Sequence, residues 1–144
     1  MTLMNKHLLV VDDNSVNIEL LLDLLDDHGF DNVHGLSDPR HVLAYCQQQL
    51  PDLILLDIRM PHIDGYAVME QLQEHFADQT PPVIVLTAQI DDDTRHRALK
   101  MGIRDFLTKP FKHDEVLQRI RNTLDVEHRY QVRDKQAETL EQMV

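Results

Sequence analysis

The chain carries a single cysteine, Cys46, so no internal disulfide is available to staple it. That residue falls within a helical pattern, where it reads as a small packing residue rather than a nucleophile. Long apolar stretches are missing as well. The first apolar run, Leu8 to Val11, stops at Asp12 and is too short for a signal peptide or a membrane span, which makes the cytoplasm the expected compartment. Basic residues are the third scarcity: 14 Lys and Arg face 25 Asp and Glu, a formal net charge of -11 with His neutral. Phosphate backbones attract Lys and Arg, so this balance excludes direct nucleic-acid binding through the chain as a whole and leaves any DNA-directed role to another domain. What is present is the ordinary make-up of one globular domain, 144 residues of which 42% are hydrophobic and 27% charged.

Four short apolar runs organise the chain: Leu8 to Val11, Leu53 to Leu56, Val83 to Leu86 and the weaker Phe106-Leu107. None alternates with polar residues. Runs of this kind suit strands covered on both faces, although short buried helical pieces would read the same way. A fifth strand is placed around Asn32 to Leu36. Between the runs, helical spacing appears over Val16 to Asp27, Pro39 to Gln48, Tyr66 to Phe76 and Asp93 to Met101, the last ending at Gly102 as a C-terminal cap. Strand and helix thus alternate, which predicts right-handed parallel crossovers and a doubly wound α/β sandwich.

In such sheets the site lies at the carboxyl ends of the strands. Asp12 and Asp13 follow the first strand, Asp57 the third, Thr87 the fourth and Lys109 the fifth, so all five are expected to converge. Three carboxylates brought together repel one another and call for a cation. An all-oxygen set without Cys or well-spaced His suits a hard ion such as Mg²⁺. The plainer alternative is that acidic residues at strand ends cap the helices that follow, as Asp13 or Asn14 would near Val16. A carboxylate can also act as a nucleophile and form an aspartyl phosphate, in which case Lys109 and Thr87 would steady the oxygens of the transferred group. Alone, a Lys after a strand is a solvated surface residue and a Thr at a strand end satisfies local backbone. Their placement beside three carboxylates is what changes the reading.

At this point the chain resembles the receiver domains of bacterial two-component response regulators. The residues that carry the resemblance are Val10-Val11-Asp12-Asp13-Asn14, Leu55-Leu56-Asp57-Ile58-Arg59-Met60-Pro61 with Asp64-Gly65, Leu86-Thr87-Ala88, and Gly102 through Lys109-Pro110-Phe111. The resemblance covers roughly residues 7 to 122. It implies a flavodoxin-like five-stranded parallel sheet of order 2-1-3-4-5 flanked by five helices. It also implies that Asp57 is the phosphoacceptor, that Asp12, Asp13 and Asp57 with the backbone carbonyl of Arg59 hold Mg²⁺, and that a histidine kinase or phosphotransfer protein is the donor. Thr87 and Phe106 would form a coupled switch, the bond to Pro110 would be cis, and Arg59 and Gln89 would tune phosphoryl lifetime. The module would be a switch acting catalytically only on its own phosphorylation and dephosphorylation. Two other readings compete. A hydrolase with an aspartate nucleophile would need an acid two residues after Asp57, where Arg59 stands, and a phosphate-independent interaction domain is disfavoured by intact Asp57, Thr87 and Lys109. The segment His62 to Tyr66 has the look of a metal-hydrolase signature but lacks a second His or acidic cluster and reads as a loop and helix start.

The receiver is expected over residues 1–125, with 126–144 as an extension of the last helix. Asp114 to Met143 holds no Gly or Pro, enough for one helix of roughly 45 Å. Tyr130, Arg133, Ala137, Leu140 and Val144 follow heptad spacing, broken by Arg133. That leaves a solvated tail and a dimerising or signal-transmitting helix both open. The resemblance implies an output or homodimer face on the fourth helix, fifth strand and fifth helix, around Ala98, Met101, Phe106 and the Leu117 side, although ordinary core packing is the expectation for most of these apolar residues, with Phe106 the exception. The extended helix would lead to an output domain if the chain belongs to a longer parent.

Overall fold

Each apolar run becomes a strand. The computed structural model describes residues 5–60, 63–88 and 91–142, with side chains as far as residue 127. The strands are β1 (Leu8–Val11), β2 (Val33–Leu36), β3 (Leu53–Asp57), β4 (Val83–Thr87) and β5 (Asp105–Thr108), all parallel in the order β2-β1-β3-β4-β5. Every residue of β1, β3 and β4 is buried, because helices cover both faces of these central strands, and this is why they show no polar alternation. The edge strands β2 and β5 are only partly buried and carry His34, Asp105 and Thr108. Asn32 stays outside β2, yet its carbonyl accepts from Leu8 N at 2.9 Å and extends the pairing by one bond.

The crossovers are α1 (Ser15–Asp27), α2 (Val42–Gln48), α3 (Gly65–Phe76), α4 (Asp92–Lys100) and α5 (His113–Gln142). A helix read over Pro39 to Gln48 is split, since Asp38 caps Arg40 N and Pro39 opens a 3₁₀ turn at Pro39–His41 before α2 begins. Alternate strand residues feed two core layers. Leu8, Val10, Leu53, Leu55, Ile84 and Leu86 pack with α1 and α5, while Leu9, Val11, Ile54, Leu56, Val83 and Val85 pack with α2 and α3. Ala98 and Leu117, named with the output face, are core residues in keeping with ordinary packing, whereas Leu99 beside Ala98 is 56% exposed. Gly102 closes α4 at φ 83°, its N–H donating to the Leu99 carbonyl and Ile103 N to that of Ala98. Among the described residues, Leu124 is the last buried one of α5, and the helix backbone continues to Gln142. The heptad positions Tyr130, Arg133, Ala137, Leu140 and Val144 lie outside the described side chains. No helix among the described residues is long and apolar enough to cross a membrane.

One glycine ties the fold to the site. Gly65 N donates to the Ile58 carbonyl at 2.8 Å, laying the start of α3 against the end of β3, and Asp64 caps that helix by accepting from Ala67 N at 2.9 Å. A Cβ on Gly65 would lie 2.7 Å from the Asp57 carbonyl oxygen and 2.8 Å from Ile58 Cα, both backbone atoms that cannot step aside. Gly65→Ala is therefore expected to destabilise the domain by about 2 kcal/mol in urea denaturation. The open Gly102→Ala should cost only about 1 kcal/mol, from its left-handed backbone alone. Equal costs would mean the strand end has room to yield.

Candidate functional site

The chain leaves β1 at Val11 and turns at once into α1, so Asp12 and Asp13 sit where strand becomes helix. Asn14 is the cap of α1, its side chain accepting from Val16 N at 2.9 Å. Capping thus falls to Asn14, and the two aspartates are left for another task. Asp12 is buried and aimed inward: its Oδ1 accepts from Asn14 N at 3.0 Å and its Oδ2 from Asn17 Nδ2 at 3.3 Å. Asp13 is exposed, and its carboxylate reaches the same place, for ligand oxygens of Asp12, Asp13 and Asp57 all lie within 4.8 Å of one another. Asp57 closes β3, 4% exposed, with Oδ1 accepting from Arg59 N at 3.2 Å.

Lys109 arrives from the other side. Its amide donates to the Thr87 carbonyl at 2.8 Å, which anchors the end of β5 on β4. Its Nζ lies 3.1 Å from Asp12 Oδ2 and 3.2 Å from Asp57 Oδ2. The Lys109-Pro110 peptide bond is cis. Thr87 is buried at the carboxyl end of β4, one residue beyond Leu86, which pairs with Asp57. The sheet register therefore gathers Asp12, Asp13, Asp57, Thr87 and Lys109 at one edge. Phe106 stands apart: it pairs with Val85 in register, is half-buried, and carries the Arg95 guanidinium 5.9 Å from its ring centre. Sequence reading missed Asn17, whose spacing of three from the Asn14 cap places it on the same side of α1 as the site. Pro61, His62 and Gln89 lie outside the described residues.

Burial and the neighbouring Asp12 carboxylate push Asp57 up to about 6, against the pull of Lys109 and the Arg59 amide. Lys109 is held above the ordinary lysine value because its bonds to Asp12 and Asp57 outweigh its own desolvation. One ammonium cannot balance three carboxylates. The donors are all oxygen, with no His or Cys among the described residues of the cluster, and such a set fits a hard divalent cation. Beside it opens a cleft of about 290 Å³ lined by Ile58, Arg59, Asp64, Tyr66, Thr87, Asp93, Thr94 and Arg97.

The family model for the response regulator receiver domain matches residues 8–121. The chain is similar to the regulatory protein VanRc of Enterococcus gallinarum, 34% identical over 128 residues that cover 88% of this chain and 53% of that one. It is also similar to the alkaline phosphatase synthesis transcriptional regulatory protein PhoP of Bacillus subtilis, 36% identical over 121 residues, or 84% and 49% of the two chains. The chain thus spans about half the length of these curated relatives. Among solved structures, the receiver domain of the sensor histidine kinase PA1611 from Pseudomonas aeruginosa PAO1, which has a magnesium ion coordinated in its active-site cleft, matches with a TM-score of 0.75 and 29% identity over 84% of this chain and 98% of that one.

The raised Asp57 makes a pH prediction. Its folded value, about 6, exceeds the unfolded value near ~4, so the fold binds its proton more tightly than the unfolded chain does. Ionised Asp57 consequently costs stability in metal-free buffer above about pH 6, and the cost fades as pH falls from 6 toward 4. Asp57→Asn is expected to be more stable than wild type at pH 7 by on the order of 2 kcal/mol, with the gap closing toward pH 4, as read by urea denaturation in chelator. A gap that stays constant with pH would mean Asp57 is not the strained carboxylate.

Proposed function

Because the chain belongs to the response regulator receiver domain family, we propose that it works as a phosphorylation-operated switch, with the Asp57 carboxylate accepting a phosphoryl group from a histidine kinase or phosphotransfer protein. The observation that carries this reading is the meeting of Asp57 with Asp12, Asp13 and Lys109 at the strand ends, a constellation that binds charge and has no other evident use in the fold.

Asp57 is the nucleophile. One of its carboxylate oxygens bonds to phosphorus as the bond from phosphorus to the donor imidazole nitrogen breaks, and the electron pair leaves with the imidazole. Phosphoryl transfer asks the protein mainly for alignment and for neutralisation of charge on the moving group. Asp12, Asp13 and Asp57, with the Arg59 carbonyl, would hold Mg²⁺, which when bound offsets negative charge on the phosphoryl oxygens. Lys109 touches the accepting carboxylate already and can follow the new oxygens with its flexible ammonium. The Thr87 hydroxyl, at the end of the neighbouring strand, would donate to a phosphoryl oxygen. Loss of the phosphoryl group to water reuses the same residues, so the chain acts only on itself. Movement of Thr87 toward the group would free space for the half-buried Phe106 ring to turn inward, altering the face made by α4, β5 and α5. That face, or α5 in its extension, would then pair with a second copy or drive an output domain such as the regulators VanRc and PhoP would carry in the half of their length not matched here.

Incubation with acetyl phosphate and Mg²⁺ followed by intact mass measurement tests the proposal. Wild type is expected to gain the mass of one phosphoryl group, Asp57→Asn none, and Lys109→Met is expected to be slowed by about tenfold or more through loss of a charge-assisted bond. Equal gain in Asp57→Asn would contradict the reading.

A further inference from the structure

A helix beside a sheet ordinarily owes its place to an apolar stripe pressed on the core. α4 has almost none. Of its nine residues Ala98 is the buried one, whereas α3 buries Tyr66, Val68, Met69 and Leu72. The helicity of α4 is supplied locally instead. Asp91 caps it by accepting from Thr94 N at 2.7 Å, Asp92 and Asp93 occupy the first turn, and Arg97 and Lys100 the last, each charge matching the helix dipole. The result is a short rod that holds its own shape with little apolar anchorage.

What ties the rod down is a pair of arginines. Arg97 Cζ lies 3.9 Å from the centre of the Tyr66 ring, and the Tyr66 hydroxyl donates to the Thr94 carbonyl at 3.4 Å, so one ring grips two successive turns of α4. Tyr66 is itself fixed, 7% exposed and adjoining Gly65, whose backbone abuts Asp57. On the opposite side Arg95 lies over Phe106 of β5 at 5.9 Å. Both arginines are exposed, and a cation over a ring near water is a weak, reversible contact, unlike a buried leucine that exposes its whole area when withdrawn.

We propose that α4 is pinned in its resting position by two arginine–aromatic tethers, Arg97 to Tyr66 on α3 and Arg95 to Phe106 on β5, whose strength sets how readily phosphorylation of Asp57 shifts the helix. The tethers stand on geometry alone; their coupling to phosphorylation rests on the switch proposed above. When the Phe106 ring turns inward, Arg95 loses its partner and α4 hangs on Tyr66. A tethered and an untethered helix then compete, and a phosphoryl group on Asp57 favours the second. Weakening a tether raises the untethered population and, by linkage, the affinity for a phosphoryl-like group at Asp57.

The test compares the full chain with Arg97→Gln, Arg95→Gln and Arg97→Lys. Hydrogen exchange of the amides of residues 92–100 is measured first without metal or phosphate, and beryllofluoride with Mg²⁺ is then titrated as a phosphoryl mimic. Each Gln variant is expected to exchange about two- to fivefold faster across α4 and to bind beryllofluoride tighter by a similar factor, and Arg97→Lys, which keeps a cation over the ring, to recover most of both effects. Unchanged exchange in Arg97→Gln would overturn the tethers. Faster exchange with unchanged or weaker beryllofluoride binding would overturn the coupling. If wild type gains no phosphoryl mass and binds no beryllofluoride, the coupling falls with the phosphorylation reading, while the exchange measurement still decides the tethers.

Discussion

The structure turns on two buried carboxylates held against one ammonium. Asp12 and Asp57 sit at the ends of adjacent parallel strands, almost without exposure, and Lys109 Nζ stands about equally close to both. Burying like charges side by side is unfavourable, and apolar surroundings add to the cost; the Lys109 ammonium between the two carboxylates and the packing of the rest of the core offset it. Fully buried β1, β3 and β4 supply that rigidity, and backbone amides at Asn14 and Arg59 and the side-chain amide of Asn17 hold the carboxylate oxygens in place. Charge left unbalanced in a stiff frame is what suits the edge to a cation.

That strain explains why the surroundings are built as they are. Gly65 is required because the start of α3 must touch the end of β3, and Asn14 takes over the capping of α1 so that Asp12 can face inward. The Lys109 amide, bound to the Thr87 carbonyl, fixes the ammonium and the threonine on neighbouring strands. In the proposed switch the half of the site built on β1 and β3 stays put. Movement would then fall to the side where α4 has one buried residue and two arginine contacts in place of an apolar stripe. On the proposed reading, a domain divided in this way would receive charge at a fixed place and express it through a helix that is cheap to displace.

Much of this was legible in the chain. Unalternated runs such as Leu53 to Leu56 announce a doubly covered strand, and a polar residue directly after each run marks the strand end, so Asp12, Asp57, Thr87 and Lys109 could be placed together before any contact was seen. Elements whose stability is local were harder. Pro39 is compatible with a helix start, and only the Asp38 cap geometry shows a 3₁₀ turn there. Contacts between distant side chains were not legible at all: Tyr66 and Arg97 lie on different helices with no pattern linking them, and Asn17 reads as an ordinary helix residue. Ala98 and Leu117 are core residues, as ordinary packing of their apolar side chains leads one to expect, and Phe106 is the half-buried exception.

The proposed switch requires that Asp57 be the side chain that carries the phosphoryl group. Borohydride reduces an aspartyl phosphate to homoserine, and tandem mass spectrometry of the phosphorylated, reduced protein reads the position converted. Homoserine at position 57 alone is the predicted result. Conversion at Asp12 or Asp13, or none at all in protein that has taken up a phosphoryl group, would contradict it.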